Sequence, residues 1–266
     1  MNEHRRNRVV KLFVLITFII MISVNALANI LPINGQLTAQ VSDTYPNLIT
    51  PIPLTFSIWG VIYILLMAFV LYLIGFFNDK NVQIDDELRN KVGLIFGVSS
   101  VINALWIFAW HYNQIFISVI LMISLLSCLG FLNSILFNAH LSNKEGYFLK
   151  MPISVYFGWI TIATIANITA YLVSLNWSGF GLSAEFWAVA AIIASMLIGI
   201  ITIIIYNDIS YGLVLIWAYI GIIFRHSSRA YLNMQYPSIV MITIVCVSFI
   251  AITEVYILFA NHKKTI

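Results

Sequence analysis

Trp159, Ala163 and Asn167 follow one another at intervals of four inside an apolar run, and Asn103, Trp106 and Trp110 form a second series at helical spacing. Residues three or four apart on an α-helix share a face. Each series would therefore present indole and amide side by side. An Asn in hydrocarbon must find a hydrogen-bond partner, so both amides are expected to face the interior of a helix bundle. Two such stripes could clasp a flat, mostly apolar ligand with a few polar edges. Helix packing explains the spacing equally well, and for Trp159 and the mid-block Trp217 packing and pocket lining both stay open.

Catalytic patterns are missing from the sequence: no nucleophile–base pair, paired carboxylates or metal-ligand cluster stands out. His111 and His140 fall in loops or at helix ends, so neither is placed as a mid-helix axial haem ligand. Cys128 and Cys246 sit singly in separate apolar blocks, which suggests neither a disulfide framework nor a metal site. The expectation is binding without catalysis, with no required cofactor and no metal. Glu254 lies several residues inside the last apolar block. A carboxylate there is costly and functional by default, unless it reaches the water interface. Asp208 occupies a tight turn and reads as a solvated helix cap. Arg225 and Arg229 flank His226 at a helix end, where they could meet terminal carbonyls or anchor a ligand propionate or lipid phosphate.

The elements that must position these residues follow from composition. Of 266 residues, 61% are hydrophobic and 9% charged, and mean hydropathy is +0.97. The apolar residues gather into eight blocks, near 9–30, 54–77, 92–112, 114–137, 151–174, 185–205, 208–224 and 237–260. A hydrocarbon core about 30 Å thick needs about 20 apolar residues at about 1.5 Å per helical residue. Backbone groups cannot go unpaired in lipid, and these runs are too long for barrel strands. The fold class is therefore all-α, a polytopic membrane helical bundle of eight spans, with the lipid bilayer as its first partner. Clustered surface basic residues, as needed to bind nucleic acid, do not occur. Pro152 and Pro237 stand where blocks begin, at the first-turn position that tolerates a missing N–H. Gly93 and Gly97, four apart, allow close helix approach and leave a homodimer open.

Basic residues set the expected orientation. Arg5, Arg6, Arg8 and Lys11 precede or open the first block, Lys80, Arg89 and Lys91 follow the second, Lys144 and Lys150 follow the fourth, and Lys263 and Lys264 end the chain. With both termini cytoplasmic, eleven of the thirteen Lys and Arg residues lie inside, leaving Arg225 and Arg229 outside. The first block also has signal-peptide traits, a basic start and Ala26-Leu27-Ala28, but its apolar run is long for one, which favours a retained helix. Trp177 and Trp187, beside the loop after the fifth block, fit an interfacial aromatic belt. Residues 31–53 form a long external segment with Pro32, Pro46, Pro51 and Pro53. Loops of that length tend to be lids, binding loops or disordered connectors. Its Ile33, Leu37, Val41, Tyr45 and Leu48 favour a segment that packs across the bundle mouth.

These motifs resemble a known family. Residues 54–63, LTFSIWGVIY, are similar to the start of the second helix in the tryptophan-rich sensory proteins (the TspO or translocator-protein family), where a proline-rich loop leads into a Trp-containing helix. INALWIFAW at 102–110 resembles that family's Leu-Asn-x-x-Trp on its third helix. Tyr156, Trp159, Ala163 and Asn167 match the order and spacing of its fifth. The resemblance covers residues 1–175, which would be a TspO-like five-helix membrane domain, with 176–266 as a three-helix C-terminal membrane extension. The resemblance implies a pocket near the proline-rich loop, with protoporphyrin-like tetrapyrroles as ligands. By position, Trp59, Tyr63, Asn103, Trp106, Trp110, Tyr156, Trp159, Ala163 and Asn167 would line it, with Pro51 and Pro53 in its lid. Indole faces stacking on a macrocycle agree with that chemistry.

Departures from the family pattern are plain. Ser57 stands where the family has Pro before the span-two Trp, and Ile107 and Phe108 replace its Pro-Pro after Trp106. The usual Trp and Asp at the start of the fourth helix are absent, Phe116 being the nearest aromatic. No basic residue follows Tyr171 closely, so the short cholesterol motif is missing and sterol binding is disfavoured. The length points to a longer, bacterial-type branch in a bacterial cytoplasmic membrane. The leading expectation is a porphyrin-like or other flat hydrophobic small molecule as ligand, bound for sensing, regulation or transport. The family's association with light-driven tetrapyrrole breakdown finds no dedicated acid or base here. A small secondary transporter using Glu254 or the Arg pair, and a ligand-free membrane scaffold, are the alternatives.

Overall fold

The computed structural model describes residues 3–77 and 85–264; Lys80, used above for orientation, lies outside them. Among the described residues, eight helices are long and apolar enough to cross a membrane. They are span one (Glu3–Ile30), span two (Ile58–Ile74), span three (Asp86–His111), span four (Ile115–Asn138), span five (Met151–Ser174), span six (Ala184–Tyr206), span seven (Ile209–Ser227) and span eight (Pro237–Lys264). The distribution of side chains suits lipid rather than water. Ile64, Leu213 and Ile252 are exposed, whereas Asn25, Ser99, Ser100, Asn103 and Thr243 are buried. An integral membrane bundle has this arrangement, because helix contacts, not lipid, must satisfy the polar groups.

Two compact units divide the chain: residues 1–44 with 59–157, and residues 45–58 with 158–266. These cut across the 1–175 and 176–266 segments of the sequence. In the first unit, span one lies against span three. Gly93 makes room for Val10 and Val14, and Gly97 takes the ring of Phe13. The glycine pair is thus used within the chain. At the opposite end of span one, Asn25 donates to the Asn103 side-chain oxygen at 2.7 Å. Asn103 in turn donates to the Tyr156 hydroxyl at 2.8 Å. This buried amide–amide–phenol ladder ties spans one, three and five together.

Span five starts differently from the sequence expectation. A capped turn at Asn143–Glu145 and a wide π-turn at Gly146–Lys150 lead directly into it. Pro152 therefore sits inside a continuous helical stretch, not at a first turn. Its ring would crowd the carbonyl four residues back, and a π-turn relieves such a conflict by widening the ladder. Pro237, by contrast, opens span eight as expected.

In the second unit, Ser183 caps span six by accepting from the Phe186 N–H. Asn207, in the left-handed conformation at φ 46°, ends that helix. Asp208 then caps span seven through the Tyr211 N–H at 3.2 Å. Asp208 is a cap, as read from sequence, but a buried one at 3% exposure rather than a solvated one. Close approach on span seven depends on glycine. A Cβ on Gly158 would stand 2.9 Å from the Tyr211 carbonyl oxygen, and one on Gly199 2.6 Å from Leu215 Cδ1. Three residues beyond Gly158, Thr161 accepts a hydrogen bond from the Tyr211 hydroxyl at 3.0 Å.

Candidate ligand-binding site

In the first unit, Trp59 and Tyr63 are neighbours one turn apart on span two. Their rings stack with centroids 5.5 Å apart, and Tyr156 meets Trp59 edge-on at 6.2 Å. Both span-two rings are half-buried, leaving part of each accessible, while Tyr156 is fully enclosed. Asn103 fixes the Tyr156 hydroxyl and is itself held by Asn25. An aromatic corner with one polar edge results, and its geometry is set by a hydrogen-bond ladder the sequence could not pair. Asn25, almost eighty residues from Asn103, carried no local signal beyond being an amide in an apolar run.

Trp106 and Trp110 stack at 6.0 Å and are both buried. The Trp110 indole N–H donates to the Thr38 carbonyl at 3.3 Å. Thr38 begins a short helix, Thr38–Asp43, within the proline-rich segment. Its hydroxyl lies 3.2 Å from His111 Nε2, and Asn34 donates to the His111 carbonyl at 2.9 Å. The first part of the proline-rich segment is thereby fastened over the end of span three.

The second part, residues 45–58, belongs to the second unit and is seated on span seven. Ile52 donates its N–H to the Gly221 carbonyl at 3.2 Å. Trp217 donates its indole N–H to the Thr55 carbonyl at 2.9 Å. His226 Nε2 lies 2.8 Å from the Leu48 carbonyl. A carbonyl can only accept, so the ring proton sits on Nε2. Pro51 is buried and Thr55 nearly so, both packed onto the bare backbone of Gly221. Trp217, for which packing and pocket lining stood open, acts here as a latch on the proline-rich segment. Pro53 opens a 3₁₀ turn through Ser57, which presents Phe56 edge-on to Trp159 at 5.8 Å. Trp159 and Asn167 are buried, and Ala163 is half-buried.

The sequence-derived residues thus fall in two sets. Trp59, Tyr63, Asn103, Trp106, Trp110 and Tyr156 share the first unit; Pro51, Pro53, Trp159, Ala163 and Asn167 share the second. A cavity of about 610 Å³ also lies in the second unit, among residues 46–49, span five, span six and the loop joining them, and it is lined by none of these eleven.

The remaining ionisable candidates are placed as follows. Glu254 is 5% exposed, and neither carboxylate oxygen has a hydrogen-bond partner among the described residues. Its carboxylate rests against Gly212 of span seven, enclosed by protein. At the far end of span seven, the Leu232 and Met234 N–H groups satisfy the Arg225 and His226 carbonyls. Backbone groups therefore cap this helix, and the Arg225 guanidinium lies over the Tyr231 ring at 5.9 Å.

Fold and site together define an integral membrane protein with aromatic-lined packing around a tethered proline-rich segment. The family model described as TSPO-like protein matches residues 11–256, and the chain belongs to that family. The matched region continues through spans six and seven and into span eight. No curated protein and no solved structure matches the chain.

Proposed function

We propose that the protein binds tetrapyrroles of the protoporphyrin type, or other flat hydrophobic molecules, within the membrane, and that it senses or moves them. The observation that carries this reading is the half-buried Trp59–Tyr63 stack beside Tyr156, whose hydroxyl is held by Asn103. Aromatic faces offer a planar apolar ligand offset stacking, and the enclosed Tyr156, its hydroxyl held by Asn103, meets Trp59 edge-on and fixes that ring. Family membership supports the same chemistry. Both termini face the cytoplasm in this reading, as the distribution of basic residues favours.

The test is a titration of detergent-purified protein with protoporphyrin IX, followed by Trp fluorescence with inner-filter controls. Saturable quenching is expected, weakened in a folded Trp59→Leu variant by a factor of about 2–12, the equivalent of one aromatic pair at about 0.5–1.5 kcal/mol. Non-saturating quenching, identical in both proteins, would remove the assignment.

A second reading, proton-coupled transport, is favoured by Glu254, a carboxyl inside a span with no hydrogen-bond partner among the described residues. Such groups serve as proton relays in transporters. Uptake into proteoliposomes driven by a pH gradient and abolished by Glu254→Gln would put this reading first; uptake unaffected by the substitution would discard it.

A further inference from the structure

The 610 Å³ cavity in the second unit is shaped and lined unlike a site for an anionic macrocycle. One wall is span six, where Ala184, Ala188, Ala191 and Ala194 replace bulk with a smooth channel. The facing wall is span five, with Ile165, Ile168 and Leu172. At its head the Trp177 and Trp187 rings pack at 4.8 Å. Among the described residues no Asp, Glu, Lys, Arg or His lines it, so none of them neutralises a propionate or a phosphate there.

Its polar lining atoms are largely engaged within the protein. Asn47 accepts from the Ile49 and Thr50 N–H groups and donates to the Tyr45 carbonyl. Thr169 donates back to the Ile165 carbonyl, and the Trp187 indole N–H to the Gly179 carbonyl. A ligand with polar groups along its length would have to leave them unpaired, at about 1–3 kcal/mol each. An all-hydrocarbon ligand has no such cost.

Length decides between hydrocarbon shapes. From Ala184 to Ala194 the helix rises about 15 Å, half of a hydrocarbon core about 30 Å thick. The channel thus runs the depth of one leaflet, starting at an aromatic pair of the kind found at membrane–water interfaces. Its flank is open to the side: Ile168 is 38% exposed, Leu182 48% exposed, and Ala194 exposed as well. We propose that this groove is a lipid site holding one acyl chain of a membrane phospholipid, with the headgroup outside it beside Trp177 and Trp187.

The full-length protein in phosphatidylcholine nanodiscs, doped with a phosphatidylcholine carrying a photoactivatable diazirine in mid-chain, tests this. Label mapped by peptide mass spectrometry is expected on residues 165–172 and 188–194, in excess of that on the exposed Leu197, Ile198 and Ile201. Ala191→Phe fills the channel and should abolish the excess; Ala194→Leu, at an exposed position, should reduce it. Uniform labelling of the wild-type protein overturns the proposal whether or not either variant folds. Labelling that survives both substitutions in folded protein does so too. Competition by free protoporphyrin for the same peptides would assign the groove to a flat ligand instead and also refute it.

Discussion

Replacing Gly221 by Ala should unseat the proline-rich segment from span seven. A Cβ at this position would collide with the Thr55 hydroxyl and lie 2.8 Å from Pro51 Cβ and 3.0 Å from Thr55 Cβ. Neither neighbour yields easily, because the Pro51 ring is rigid and Thr55 is 2% exposed. Overpacking of this kind costs about 1–3 kcal/mol, which raises the population with the segment lifted by a factor of about 5–150. The Ile52 N–H, which donates to the Gly221 carbonyl, reports that population directly through hydrogen exchange. The assay is amide exchange in detergent, comparing Ile52 and Thr55 with the Ser195 amide in mid-span six. Faster exchange at Ile52 and Thr55, with Ser195 unchanged, is expected. Unchanged protection at Ile52 in a folded Gly221→Ala protein would refute the seating argument. Trp217→Phe keeps the ring and removes the donor to Thr55, so it should accelerate the same amides by a factor of about 2–12, one hydrogen bond at about 0.5–1.5 kcal/mol.

Three further outcomes are expected. Gly158→Ala should destabilise the protein by about 1–3 kcal/mol in reversible denaturant unfolding, since its Cβ would meet the Tyr211 backbone carbonyl rather than a movable side chain; a neutral result would mean that spans five and seven are less closely apposed. Asn103→Leu and Tyr156→Phe, each destabilising alone, should show a coupling of about 0.6–2 kcal/mol in a double-mutant cycle, and strict additivity would dissolve the ladder. Gly97→Val should lower thermal stability by displacing Phe13, with partial recovery in Gly97→Val/Phe13→Ala measured by the same melt.

The eight spans were legible because the bilayer fixes their length, and length survives any ignorance of contacts. Gly93 and Gly97 were legible as a point of close approach, but not the identity of span one as what approaches, since small residues announce room and not an occupant. Asn103 was legible as an interior amide, while its partner Asn25 depended on how two distant helices rotate. Trp217 kept two readings in sequence because an indole in mid-span fits packing and lining alike; the Thr55 carbonyl as its acceptor is a matter of tertiary placement. The alanine series at 184, 188, 191 and 194 stood in the sequence as a helical-period signal, masked by Ala being so ordinary in apolar helices. Pro152 misled because its position in an apolar block matches a helix start, and only the π-turn before it says otherwise.

Span seven holds residues 45–58 through main-chain atoms of the segment: the Ile52 N–H and the carbonyls of Thr55 and Leu48. Side chains there contribute to the seat chiefly at Pro51 and Thr55, over Gly221. Such a mount is indifferent to most of what it carries. Whereas Asn47, whose amide orders the turn at Ile49 and Thr50, stays fixed, Leu48, which meets span seven through its carbonyl alone, can therefore be exchanged for other residues while the segment keeps its place. That makes it a replaceable cartridge on a fixed socket, a part whose specificity can drift, or be redesigned, without rebuilding the helices beneath it.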